Sequence, residues 1–164
     1  MPITYEPIAT TTLGSAANQI DFTSISGSYT DLVLVFEGIA SGGTNYPFFR
    51  VGNGSIDTGT NYSRTYILGD GSSASSGRDS NTSTPTICEL LTTSRSMFLI
   101  HFQNYSNTTT YKTMIVRSGG AANKVEANVT LWRSTSAINQ IRIAVGSQNF
   151  ASGTSVTLYG IKAA

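Results

Sequence analysis

The chain has 164 residues, enough for one domain, and only 12% of them are charged, about half the ~25% usual in globular domains. Ten basic residues against nine acidic ones leave a net charge of +1, which excludes binding to nucleic acid or to an anionic membrane surface by bulk charge. The longest unbroken apolar run, Leu32 to Phe36, is far short of the ~20 residues of a membrane-spanning helix, and 39% hydrophobic content is too high for simple disorder.

In place of charge the chain carries 22 Ser and 23 Thr, with 16 Gly and 11 Asn. From the N-terminus onward helical periodicity is nearly absent. Short apolar or alternating runs recur between polar turns, which is the pattern of an all-β protein. Strands are expected at 5–13, 19–22, 31–39, 48–52, 62–68, 86–91, 97–103, 111–118, 126–133, 139–146 and 155–161. Pro7 inside the first of them fits an edge or a bulge. The run from Leu32 to Phe36 is apolar at every position and is expected to be covered on both faces. The polar stretch 52–61 has room for a short helical turn. Residues 69–85 hold one apolar side chain, Ala74, and read as a long irregular loop, an arm able to order against a partner. Asp70, Ser73, Arg78, Asp79 and Asn81 are its candidate contact residues.

Alternation assigns a core face to Leu32, Leu34, Phe36, Leu99, Leu131, Ile141, Ile143, Val145, Val156 and Leu158. Such half-buried strands belong to antiparallel sheets, and there is no room for the helical crossovers of a parallel one. The expected fold is a single all-β domain over 1–164, an antiparallel two-sheet β-sandwich with little helix. Few charges guard the sheet edges, so loops or neighbouring chains should cover them.

Candidate chemistry is sparse. The one cysteine, Cys88, cannot form an intrachain disulfide or a cysteine-rich zinc site and reads as a small buried hydrophobe. The one histidine, His101, shares a strand face with Met97 and Leu99 and reads as a partly buried structural residue. A Ser-His-Asp hydrolase needs that histidine as its base, and no nucleophile elbow, zinc-protease or phosphate-loop motif accompanies it. The nine carboxylates are scattered, with no glycosidase pairing and no EF-hand spacing around Asp70 and Asp79. No enzymatic activity, metal or cofactor is therefore expected. Trp132 lies on the more polar face of its strand with Asn128 and Thr130. It could stack on a sugar or pack under a loop or a neighbouring subunit, and packing is the favoured reading because large aromatics are usually mostly buried. The six Asn-x-Ser/Thr triplets are expected by chance in so hydroxyl-rich a chain. The first residues lack the basic and apolar regions of a secretory signal, so folding in a cytoplasm is expected.

Three stretches carry a resemblance when taken together. The first is Tyr5-Glu6-Pro7-Ile8-Ala9-Thr10-Thr11-Thr12-Leu13-Gly14-Ser15, with Ile20-Asp21-Phe22-Thr23-Ser24-Ile25 and Tyr29-Thr30-Asp31-Leu32-Val33-Leu34 after it. The second is Gly59-Thr60-Asn61-Tyr62-Ser63 running into Gly69-Asp70-Gly71-Ser72-Ser73-Ala74-Ser75-Ser76. The third is Gly153-Thr154-Ser155-Val156-Thr157-Leu158-Tyr159-Gly160-Ile161. Their order and spacing resemble a family of small virion proteins encoded by tailed phages of aquatic bacteria. The resemblance implies a jelly-roll-like β-sandwich located in the virion and made in the host cytoplasm. It implies a capsid decoration protein, or alternatively a tail or fibre module recognising surface glycans. Phage decoration proteins and fibre heads are often trimers, so the implied partners are two further copies of the chain and the major capsid protein. The family brings no site residues with it.

Overall fold

The computed structural model describes residues 4–88, 91–120 and 124–162. They form twelve strands and no helix: β1 (Tyr5–Thr12), β2 (Gln19–Phe22), β3 (Asp31–Gly38), β4 (Phe48–Asn53), β5 (Ser55–Ile56), β6 (Tyr62–Gly69), β7 (Ala74–Thr82), β8 (Ser96–Phe102), β9 (Lys112–Gly119), β10 (Val125–Trp132), β11 (Gln140–Ala144) and β12 (Ser155–Ile161). All pairings are antiparallel. The strands make an eight-stranded sheet in the order β1-β12-β3-β8-β9-β10-β6-β7 and a four-stranded sheet in the order β2-β11-β4-β5. The all-β, two-sheet fold is the one that alternation implied.

The core lies between the sheets. Leu32, Leu34 and Phe36 of β3, Phe98, Ile100 and Phe102 of β8, and Val156 and Leu158 of β12 meet Phe49, Val51, Ile141 and Ile143 of the small sheet. Phe36 stacks on Phe98 with ring centroids 4.7 Å apart, and Phe49 meets Phe102 edge-on at 5.9 Å. Pro7 sits at a register shift in β1, the edge strand of the large sheet.

Four expectations are corrected. Residues 69–85 are not an irregular loop. They close a hairpin in which β7 pairs along β6, with only residues 70–73 as its tip. The Asp70-Gly71 pair is the turn signal, and Gly71 has φ +87°, a conformation glycine adopts without a Cβ clash. Residues 52–61 hold β5 and a tight turn at Gly54 rather than a helical turn. The expected strand at 86–91 is reduced to bridges from Thr86 to Phe48 and from Leu91 to Asn45, and Glu89 and Leu90 lie outside the described residues. Finally, Leu99 and Leu131 lie on the outer face of the large sheet, half-buried, while the other eight expected core residues are buried. In β8 every position from Met97 to Ile100 is apolar, so alternation alone does not choose a face. Packing places Phe98, Ile100 and Phe102 inward.

Tyr62 ties the sheets together. Its fully buried hydroxyl accepts the Val51 N–H at 3.1 Å and donates to the carbonyl of Val51 or Asp57, each at 3.1 Å. Tyr62→Phe keeps the ring and leaves the Val51 amide without this acceptor. Urea denaturation should show a loss of about 1–3 kcal/mol with an unchanged far-UV spectrum. Unaltered stability would mean that the hydroxyl contributes nothing to the junction.

Candidate interaction surface

β10 is built inside out. Its inward side chains are Glu126, Asn128, Thr130 and Trp132, all buried, while Val125 and Val129 point outward with 66% and 48% exposure. The reason lies beneath it. The Arg64 guanidinium of β6 is buried between the layers. Its Nη1 donates to Glu126 Oε1 at 3.2 Å and to the Thr86 carbonyl at 3.3 Å, and its Nε donates to Asp79 Oδ2 at 2.6 Å. Asn128 Nδ2 donates to the Ile87 carbonyl at 3.2 Å and to Glu126 Oε1 at 3.1 Å. The carbonyls of the segment after Pro85 thus take side-chain donors where a sheet ladder would have satisfied them.

With a period of two, burying those polar groups sends the alternate side chains outward. The outer face of the large sheet accordingly carries Ile67 at 64% exposure and Met97 at 63%, together with Val125, Val129 and the half-buried Ala127 and Ile115. Small residues on neighbouring strands, Gly69, Ala74 and Ala127, deepen this face into an open hollow of about 740 Å³. A shallower extension of about 250 Å³ runs over Thr65, Ile115 and Val129. Scattered exposed apolar residues are ordinary, but a contiguous set marks a surface that meets something.

Two cations flank the hollow. Arg117 of β9 pairs across to Ala127 on one side, and Arg78 of β7 pairs across to Thr65 on the other. Both are exposed, and neither guanidinium has a hydrogen-bond or ion-pair partner among the described residues. The other arginines are engaged: Arg64 as above, Arg95 with Glu37, Arg142 with Asp21, Arg133 with Ser63 and Asn81, and Arg50 with the Ser83 carbonyl. Arg117 was not singled out in the sequence. Its signal was a charge directly after the apolar run Met114-Ile115-Val116.

The five candidate contact residues separate. Asp70 and Ser73 build the hairpin tip. Asp70 Oδ1 accepts the backbone N–H groups of Ser72 at 2.9 Å and Ser73 at 2.7 Å, and these bonds hold its carboxyl well below the usual carboxylate range. Asp79 turns inward to Arg64, and the Asn81 side chain accepts from Arg133 at 2.9 Å. Arg78 alone of the five projects onto the outer face with no partner among the described residues.

Trp132 is corrected as a glycan platform. It is 3% exposed and its indole N–H donates to Asp57 Oδ2 at 2.7 Å, so its ring is closed to a stacking sugar. Partial burial works to raise the Asp57 pKa. The hydrogen bonds from Trp132, Asn61 and the Gly59 N–H outweigh it, so the carboxyl is held below its ordinary value. Cys88 is buried. His101 is partly buried and pairs through Nε2 with Asp31 Oδ2 at 3.0 Å. Among the described residues no three His, Cys, Asp or Glu side chains gather as a metal-ligand set.

Two substitutions test this account of the interior. Glu126→Ala leaves the buried Arg64 charge short of its innermost counter-ion and should cost about 3–5 kcal/mol in denaturant unfolding. A neutral outcome would mean that Arg64 does not depend on the pair. For Asp57, a folded-state pKa below the unfolded value means stabilisation that is complete above the unfolded pKa and is lost as pH falls through the folded one. Asp57→Asn should therefore lose less stability than the wild type between about pH 7 and about pH 3, and equal losses would remove Asp57 from the acid response. No protein-family model matches the chain, and no curated protein matches it.

Proposed function

We propose that this chain is a non-enzymatic structural protein of a phage virion, a decoration protein that cements the capsid through contact with the major capsid protein. The observation that carries this reading is the outer face of the large sheet, a contiguous apolar hollow flanked by two arginines that have no partner among the described residues. Such a face is spent on contact with another molecule. The resemblance of the N-terminal, central and C-terminal stretches to small virion proteins of tailed phages supports the assignment. A surface rich in hydroxyls and poor in charge is also inexpensive to desolvate, which suits a part covered by neighbours on a particle.

The edge strand β7 supports self-association. It is nine residues long, contains no proline or lysine, and among the described residues has no strand on its far side. A homotrimer closes such edges by cyclic symmetry without leaving a growing end. The glycan-binding fibre reading loses its aromatic platform with Trp132 buried.

Purified particles of the encoding phage, resolved on a stoichiometric gel, should contain this chain at a copy number comparable to that of the major capsid protein. Light scattering of the isolated protein should give three times the chain mass. A minor band found only in tail fractions would overturn the head assignment, and a monomeric mass at micromolar concentration would overturn the trimer.

A further inference from the structure

We infer that the outer hollow of the large sheet, in a chain read as an assembly component, takes an extended acidic segment of a partner polypeptide in which an apolar side chain is flanked by two carboxylates.

The occupant follows from charge and spacing. Arg117 on β9 and Arg78 on β7 are separated by the two intervening strands β10 and β6, so strand spacing puts them about 15 Å apart across the face. Between them lies an apolar floor made by Ala127, Ile67 and Val129. Among the described residues no outward carboxylate answers either cation. Glu126 and Asp79 turn inward to Arg64, Glu37 is held by Arg95, and the Asp70 carboxylate accepts from its own hairpin tip. In an extended segment side chains i, i+2 and i+4 share one face, and i to i+4 spans about 13 Å. A segment of the form acidic-x-apolar-x-acidic therefore places a carboxylate at each arginine and an apolar side chain over the floor.

A second copy of this chain is the weaker occupant, because stacking two such faces opposes arginine to arginine with no outward acid among the described residues to offset them. Nucleic acid would supply the anions but leaves Ile67, Val125 and Val129 against a sugar-phosphate backbone, and the chain's net charge is only +1.

The measurement uses the isolated, full-length chain and is separate from particle stoichiometry, so either can fail alone. A short synthetic peptide carrying Glu-Ser-Leu-Ser-Glu is titrated at low salt, with Lys-Ser-Leu-Ser-Lys and Glu-Ser-Ser-Ser-Glu as controls. Amide shifts are followed by NMR. The acidic apolar peptide should bind saturably and move the signals of Ile67, Ala127 and Arg117, at least tenfold more tightly than either control. Arg117→Glu, an exposed change that leaves the buried side untouched, should reduce its affinity at least tenfold and improve binding of the lysine peptide. Ile67→Ser should weaken the acidic peptide without reversing the charge preference. Equal binding of the three peptides, no binding, or shifts confined to another face would overturn the inference. So would concentration-dependent self-association through the hollow that Ile67→Ser abolishes, which would assign the face to a second copy.

Discussion

A buried guanidinium governs this molecule. Arg64 sits between the two sheets, and an uncompensated charge there would be costly, so Glu126 and Asp79 must face it and the Thr86 carbonyl must approach it. That requirement sets the parity of β6, β7 and β10 together. Shifting β10 by one residue would bury Val125 and Val129, a gain of about 1.5–3 kcal/mol for each. It would also strand Arg64, at about 3–5 kcal/mol, and expose Trp132, whose buried ring is worth a further amount on the order of 3–5 kcal/mol. The polar-inward arrangement wins, and the apolar outer face is its consequence.

A second anchor lies two residues from Arg64, where β6 begins and β10 ends. Tyr62 and Trp132 are paired across these strands, and both are buried over the 51–57 turn. The Tyr62 hydroxyl bridges Val51 and the Asp57 carbonyl, and the Trp132 indole holds the Asp57 carboxylate. Arg64 at one level and Tyr62 with Trp132 at the next leave these strands little freedom to twist independently. Directly behind the outer hollow, Glu126 ties β10 to Arg64 and accepts from Asn128.

Much of the fold was legible in the residues. Ile141 and Ile143 alternate with Gln140 and Arg142, and Val156 and Leu158 with Thr157 and Tyr159. In each case one face is plainly apolar and the structure buries it. The β6–β7 hairpin was legible only in part. Its Asp70-Gly71 turn is a hairpin signal, but β7 itself reads Ala-Ser-Ser-Gly-Arg-Asp-Ser-Asn-Thr, with nothing to distinguish an edge strand from a loop. It is a strand because β6 offers it a ladder, which is a tertiary fact. Among the candidate contact residues Arg78 lies on the surface, while Asp79 beside it points to the interior. Sequence cannot separate them without the register of that ladder.

The composition and the short alternating runs by themselves determined an all-β chain with antiparallel sheets and little helix, because a period of two over four to eight residues is compatible with little else. They also determined that attraction by bulk charge would not drive its contacts. Only the tertiary structure decided which side of β8 and β10 is interior. Hydrophobicity ranks Val125, Val129 and Leu131 above Glu126, Asn128 and Thr130, and the local pattern follows that ranking. A side chain is nevertheless buried by the sum of what it meets. Glu126 meets a buried arginine 62 residues away in the chain, and Asn128 meets the Ile87 carbonyl 41 residues away. No local window contains those partners, so neither the inversion of the strand nor the surface it creates could be read before the sheets were assembled.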